Sequence, residues 1–352
     1  MNNGLVNITD TRRIGPGQPC FIIAEAGVNH NGNVALAFDL IDAARDAGAD
    51  AVKFQTWITE KLTLPDTKMA DYQRQNVGQD QTQFEMIRKL ELRHADFAAL
   101  KAHAAAKGIL FFSTPDEEDS ADFLDRLGVP LFKLGSGEVT NLPYLRYVGA
   151  KGRPVILSTG MSNLGEVEAA VDAIRGTGNQ ALVLLHCVSD YPAQPADCNL
   201  RAMHTLRAAF GCPVGFSDHT LGSDVALAAV ALGACVLEKH LTLSRDLPGP
   251  DHRASLEPHE FAAMVRAVRT VESALGSGIK QPAEVEIKTR QVVQKSLVTT
   301  RPVRQGERIE ADAVALRRAG GGLPPHFLGV VVGRHAKRDL AANQLIELDM
   351  LT

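Results

Sequence analysis

The chain has 352 residues, 45% hydrophobic and 22% charged, with 37 Lys and Arg against 41 Asp and Glu. A net charge of −4 offers no basic surface for nucleic acid, and no apolar run approaches the roughly 20 residues of a membrane span. The N-terminus, with Asn2, Asn3 and Asp10 and no apolar segment, does not read as a signal peptide. Five scattered cysteines, Cys20, Cys187, Cys198, Cys212 and Cys235, read as buried, reduced thiols of a cytoplasmic protein.

Eight short apolar runs occupy residues 20–24, 51–55, 109–113, 130–134, 154–158, 181–187, 213–216 and 235–239. The first does not alternate, so it reads as a strand buried on both faces. Helical patterns at 34–47, 95–107, 116–127, 164–175, 222–232 and 258–275 lie between or after them. Asn33 is a candidate N-cap for the first, and glycines close most of the others. Strict strand–helix alternation implies parallel strands joined by crossover helices. Eight such units fit a (β/α)8 TIM barrel better than a doubly wound sheet. No G-x-G-x-x-G or G-x-x-x-x-G-K-[ST] supports the second architecture. One connection is oversized: residues 57–83 either cover the barrel mouth or decorate it.

The pattern changes after Gly278. Residues 281–294 are polar and mixed in charge, as a linker or a solvated helix would be. Residues 295–352 carry short β-rich pieces at 296–300, 308–309, 330–332 and 345–348, separated by turn signals. The expected division is a barrel over 1–280, a linker over 281–294 and a small β-rich domain over 295–352.

A barrel enzyme builds its site at the C-terminal ends of its strands. Read by position, those ends supply Glu25, Lys53 and Gln55, Thr114, Lys133, Ser136 and Glu138, Ser158, Ser189 and Tyr191, Ser217 and His219, Glu238, Lys239 and His240, then Asp251. Lysines, hydroxyls and glycine turns suit a phosphorylated anion. His219 and His240 stand at equivalent places on neighbouring strands and could share one divalent ion. Glu238 and Lys239 alternate with His240, so at least one of them faces outward. Three strand lysines, Lys53, Lys133 and Lys239, leave a Schiff-base pyruvate aldolase or lyase open as an alternative.

The stretch Ile23-Ala24-Glu25-Ala26-Gly27-Val28-Asn29-His30-Asn31-Gly32 is followed in order by Val52-Lys53-Phe54-Gln55-Thr56, Ser113-Thr114-Pro115, Gly135-Ser136-Gly137-Glu138 and Leu157-Ser158-Thr159-Gly160-Met161. Phe216-Ser217-Asp218-His219-Thr220, Glu238-Lys239-His240 and Gly249-Pro250-Asp251-His252 complete the set. Together they resemble the sialic acid synthases, and the tail resembles their antifreeze-like (SAF) domain. That tail alone also leaves a carbohydrate- or ice-binding protein open.

The resemblance implies condensation of phosphoenolpyruvate with an N-acetylmannosamine-type sugar, giving a nine-carbon 2-keto acid and phosphate. It implies that Lys53, Thr114, Lys133, Ser136, Ser158, Ser189 and Ser217 hold phosphoenolpyruvate. It makes Glu25 the residue that activates water, and His219 and His240 the ligands of Mn²⁺, with Mg²⁺ or Co²⁺ as alternatives. Gln55, Glu138, Tyr191 and Asp251 would contact the sugar. Arg318 would enter from the partner subunit of a domain-swapped homodimer. Some positions depart from the family pattern: Asp116 replaces a common aromatic, Trp57 a Phe, and Ala319 a Pro, while Ser189 stands where some members carry Asn. The motifs do not separate the N-acetylneuraminate from the N,N'-diacetyllegionaminate branch.

Overall fold

The computed structural model describes residues 4–78 and 81–352. The chain divides into two compact units, the first ending at Gly276 and the second spanning Ser277–Thr352.

The first unit is built on eight strands: β1 (Phe21–Gly27), β2 (Ala51–Thr56), β3 (Leu110–Pro115), β4 (Phe132–Leu134), β5 (Val155–Ser158), β6 (Leu182–Cys187), β7 (Val214–Asp218) and β8 (Val236–His240). All pair in parallel, in the order β3-β2-β1-β8-β7-β6-β5-β4. First and last strands meet, with Phe21 opposite Val236 and Glu25 opposite His240. This is the (β/α)8 barrel that the alternation of runs indicates. Its strands read as unbroken apolar runs because one side faces the barrel interior and the other faces helices. Leu182, Val183, Leu184 and Leu185, for example, are all fully buried.

The connecting helices are α1 (Val34–Asp46), α2 (His94–Lys107), α3 (Glu118–Leu127), α4 (Leu142–Gly149), α5 (Leu164–Arg175), α6 (Ala202–Phe210), α7 (Asp224–Ala231) and α8 (Pro258–Leu275). Asn33 caps α1, accepting a hydrogen bond from the Ala35 amide at 2.9 Å. Helices α4 and α6 were not marked by the residue pattern. The first is short, with Pro143 in its first turn and a glycine at its end. The second starts only after the long loop that follows Cys187. Among the described residues, no helix is long and apolar enough to cross a membrane.

The oversized connection after β2 carries three short helices, Thr59–Leu62, Asp71–Val77 and Gln83–Leu90. Trp57, Met69, Met86 and Leu90 from this segment pack with Val28, beyond the end of β1. Tyr72 stacks on Tyr191 with ring centroids 4.9 Å apart, and Asn76 donates to the Pro250 carbonyl at 2.6 Å. The segment therefore lies against the C-terminal ends of the strands rather than standing apart from them.

Residues 29–32 serve the same rim. Asn29 donates to the Leu241 carbonyl at 2.8 Å and to Ser255 Oγ at 2.9 Å. His252 Nε2 lies 3.1 Å from Asn31 Oδ1. These contacts join the β1 loop to the loop after β8.

In the second unit, α9 (Glu286–Val293) buries none of its residues, and it occupies the stretch read as a linker. Strands β9 (Lys295–Thr299) and β10 (Val314–Arg318) pair antiparallel, Lys295 opposite Arg318. Leu297, Val303, Ile309, Val331, Leu340 and Ile346 form this unit's own core. Two sequence expectations need correction. Residues 330–332 are not a strand: the β-branched run closes a one-turn helix, Leu328–Val331, that buries Val331. Val314–Arg318 is a strand that the turn signals did not reveal.

Alternation along β8 settles the direction of its three polar residues. Glu238 and His240 face the barrel interior. Lys239 faces outward, is fully buried, and places Nζ 2.8 Å from Asp218 Oδ2. It also donates to the Thr220 carbonyl. Removing one partner of a buried ion pair strands the other charge. Asp218→Ala is expected to cost about 3–5 kcal/mol, read as a lower midpoint of urea unfolding. The double variant Asp218→Asn, Lys239→Met should recover most of that loss.

Candidate active site

The polar strand ends share one mouth. They line a cavity of about 140 Å³ that collects Glu25, Lys53, Gln55, Thr114, Lys133, Ser136, Ser158, Tyr191, Ser217, His219 and His240, together with Asp116, Cys187 and Glu238.

Glu25 reaches it through a bulge. Gly27 has φ +48°, and the pairing slips there, Glu25 opposite Lys53 but Gly27 opposite Phe54. Such an irregularity re-aims a side chain at the end of a strand. A Cβ on residue 27 would stand 3.0 Å from Glu25 Oε1 and 3.3 Å from Gln55 Nε2. Glycine therefore leaves room for the carboxylate to lie back over the backbone. Gln55 donates to that same oxygen at 2.8 Å.

Two lysines and two carboxylates interlock beneath the mouth. Lys53 Nζ lies 3.0 Å from Glu25 Oε2 and 3.6 Å from Glu238 Oε2. Lys133 Nζ lies 3.4 Å from Glu238 Oε1. Ser217 donates to Glu238 at 3.0 Å, and Lys53 donates to Thr114 Oγ1 at 3.2 Å. All four charged groups are at most 4% exposed. Burial raises the Glu25 carboxyl above the ordinary carboxylate range, against the pull of Lys53. Burial acts the same way on Glu238, but Lys133 and Lys53 outweigh it and hold this carboxyl low. Lys53 shows the mirror balance. Burial favours its neutral form, yet Glu238 and Glu25 keep it a firm ammonium. Lys133 is pulled down, chiefly by burial.

The hydroxyls are arranged around this network. Ser136 Oγ accepts from the Gly160 amide at 2.9 Å and lies 3.2 Å from Cys187 Sγ. A Cβ on Gly160 would collide with Ser189 Oγ, with Cys187 Sγ and with Ser136 Oγ, so glycine is what permits these groups to converge. Ser158 Oγ and His240 Nδ1 are buried without a hydrogen-bond partner. The second oxygens of Glu25 and Glu238 likewise have only the neighbouring lysine charges. Buried polar atoms left open in this way mark a place for a polar ligand.

His219 and His240 lie side by side, ring centroids 5.5 Å apart, with Tyr191 packed on both. His219 Nδ1 is 2.6 Å from the Val188 carbonyl. A carbonyl only accepts, so Nδ1 carries the proton and Nε2 keeps its lone pair. Burial pushes His219 down to about 4. Burial, with His219 beside it, takes His240 well below its ordinary value. Both rings are therefore neutral donors at pH 7. Among the described residues, no group of three or more His, Cys, Asp or Glu side chains is arranged to hold a metal ion. The two imidazoles alone fit a hard or borderline divalent cation whose other positions are filled by oxygens from outside the chain.

Some expected site residues stand elsewhere. Asp251 lines a second cavity, of about 190 Å³, which shares Gln55, Asp116, Tyr191 and His240 with the first. Ser189 and Glu138 line neither. Ser189 is half-buried beside Gly160, and Glu138 accepts from Asn141 Nδ2 at 2.8 Å. Arg318 is exposed on β10 of the second unit. Glu238, which binds the lysines together, stands among the strand-end residues of the sequence but is given no role there. Two-residue alternation from an inward His240 would have identified it.

A NeuB family model matches residues 40–280, and a SAF domain model matches residues 294–352. The chain is 46% identical over 332 residues to the N,N'-diacetyllegionaminic acid synthase of Legionella pneumophila, covering 93% of each chain. It is 44% identical over 324 residues to the N,N'-diacetyllegionaminic acid synthase of Campylobacter jejuni, covering 90% of this chain and 97% of that one. Among solved structures it matches the N-acetylneuraminic acid synthetase of Leptospira borgpetersenii, in complex with citrate. That match has a TM-score of 0.72 at 34% identity, covering 82% of this chain and 98% of that one. The chain belongs to the NeuB family and ends in a SAF domain.

Proposed function

We propose that the protein condenses phosphoenolpyruvate with a 2,4-diacetamido-2,4,6-trideoxymannose, giving N,N'-diacetyllegionaminate and phosphate. The observation that carries this reading is one small cavity in which two buried lysines, the hydroxyls of Thr114, Ser136, Ser158 and Ser217, the Glu25 carboxylate and two neutral imidazoles are among the groups that converge. The choice of sugar follows the legionaminate synthases to which the chain is 46% and 44% identical. The barrel supplies the chemistry. A domain-swapped homodimer would bring Arg318 of a second copy to the sugar.

Phosphoenolpyruvate is strongly anionic, and Lys53 and Lys133 hold its phosphate and carboxylate, with Thr114, Ser136, Ser158 and Ser217 donating hydrogen bonds. Its methylene carbon attacks the aldehyde carbon of the open-chain sugar, and a carbon–carbon bond forms. A divalent ion held by His219 and His240, Mn²⁺ with Mg²⁺ or Co²⁺ as alternatives, would supply polarisation of the aldehyde oxygen. The former enol carbon becomes electron-poor. Glu25 stabilises that charge, then takes a proton from the water that adds to it. The sugar alkoxide takes up a proton; the carbon–oxygen bond to phosphate then breaks, and the new hydroxyl gives its proton to the departing phosphate as the 2-keto group forms. Burial suits Glu25 to this task, because a base works best when its pKa approaches the working pH. Gln55 and Lys53 fix one oxygen each, so the carboxylate needs little reorganisation. A Schiff-base route finds no support. Lys53 and Lys133 are each paired with a buried carboxylate, and Lys239 lies outside the barrel interior against Asp218.

Three outcomes check the reading. Glu25→Gln should lower kcat by about 10²–10⁴-fold while phosphoenolpyruvate affinity by calorimetry changes little. An unchanged kcat would remove Glu25 from the reaction. Equilibrium dialysis should find one Mn²⁺ per chain, lost in His219→Ala and in His240→Ala, and EDTA should stop phosphate release. A full Mn²⁺ complement in both variants would place the ion elsewhere. In a sugar panel, kcat/KM should favour the 2,4-diacetamido sugar over N-acetylmannosamine by about 10-fold or more. The reverse preference would move the protein to the neuraminate branch.

A further inference from the structure

Four residues line both cavities, and three of them already have partners or tasks. Gln55 holds Glu25, Tyr191 stacks on Tyr72, and His240 is a candidate ligand. The fourth is Asp116. Its backbone is pinned on both sides. On one side its amide donates to the Thr56 carbonyl at 3.0 Å and the Tyr144 hydroxyl to the Pro115 carbonyl at 2.8 Å; on the other, the same hydroxyl lies 3.3 Å from the Glu117 carbonyl. Among the described residues its carboxyl receives no hydrogen bond and pairs with no cation within 4 Å. The loop thus presents, from a held backbone, an unused carboxyl group at the junction of the two spaces.

The wall of the second cavity that comes from the inserted segment is different in kind. Leu62, Met86, Ile87 and Leu90 form an apolar stretch of it, beside Trp57, Tyr72 and Gln73. A carboxyl on one side and an aliphatic wall on the other match one common sugar substituent. An acetamido group carries an N–H, a carbonyl and a methyl. The N–H and the carbonyl need polar partners, and the methyl needs an apolar one.

We propose that Asp116 and the wall formed by Leu62, Met86, Ile87 and Leu90 form the subsite that reads an acetamido group of the acceptor sugar. This deepens the reading above and rests on it. Burial, reinforced by Glu138 and opposed by Lys53, pushes the Asp116 carboxyl up to about 7. It can therefore offer a proton as well as a lone pair near neutrality, as an amide requires. The subsite also gives the inserted segment a role in selectivity: its side chains meet the substituent, while the barrel meets the reacting carbons.

The test uses the full-length protein at saturating phosphoenolpyruvate and measures phosphate release with N-acetylmannosamine and with the 2,4-diacetamido sugar. With the preferred sugar, Asp116→Ala should raise KM by about 10–100-fold. Phosphoenolpyruvate affinity should stay within about twofold, which also shows that the variant is folded. Asp116→Asn keeps a donor and an acceptor, so its KM should stay within about fivefold of the parent. Ile87→Ala opens the wall, and the ratio of kcat/KM for an N-butanoyl analogue over the N-acetyl sugar should rise at least about fivefold. The subsite is overturned if Asp116→Ala leaves the sugar KM unchanged, or weakens phosphoenolpyruvate equally. An unchanged acyl preference in Ile87→Ala overturns the apolar wall. No phosphate release from the parent with either sugar would overturn the proposed reaction itself, and the subsite with it. A parent that turns over beside an unaffected Asp116→Ala would overturn the subsite alone.

Discussion

Glu238 and the two lysines it holds are the constraint on which the rest of the site depends. Two ammonium groups and two carboxylates lie buried at the mouth of the barrel, each within 3.6 Å of an opposite charge. Losing Glu238 leaves Lys133 without an opposite charge, and losing Lys53 leaves Glu25 without one, each at a cost of about 3–5 kcal/mol. The network is close to neutral when it is unliganded, so the lysines can stay charged in a place that would otherwise neutralise them. An arriving phosphate and carboxylate then meet ammonium groups already in position. Glu25 belongs to the same network, which couples the lysines proposed to hold phosphoenolpyruvate to the proposed base beside them.

The fold delivers this network through two simple devices. Alternation along β8 sends Glu238 and His240 inward and Lys239 outward, where Asp218 receives it. A bulge at Gly27 turns Glu25 back toward Gln55 and Lys53. Position in the register separates an ion pair behind the sheet from one inside the cavity, though both involve a buried lysine in a strand. The Val188 carbonyl does comparable work for His219, selecting the tautomer that leaves one nitrogen open.

Most of the barrel was legible because buried parallel strands are short apolar runs with polar ends, and α1, α2, α3, α5, α7 and α8 each stop at or just before a glycine. Glu25, Lys53, Lys133, Ser158 and His240 could be chosen by position alone. What stayed hidden depended on direction or on distant contacts. Glu238 needed an anchor for its alternation. Asp116 looked like a departure from a pattern until the cavity walls placed it at a junction. Whether residues 57–83 covered the mouth could not be decided until Tyr72 was seen against Tyr191 and Asn76 against Pro250. In the small second unit, β-branched Val330, Val331 and Val332 suggested a strand, but burying Val331 in a turn of helix won locally. Propensity is weakest in such short elements, where a single packing contact outweighs it.

The central claim is that water, guided by Glu25, adds to the enol carbon and expels phosphate from it. Phosphoenolpyruvate labelled with ¹⁸O in the oxygen that bridges carbon and phosphorus tests this directly. Mass spectrometry of the released phosphate should find the label there, because the carbon–oxygen bond is the one that breaks. Label retained in the keto acid would mean that water attacks phosphorus, and would contradict the role given to Glu25.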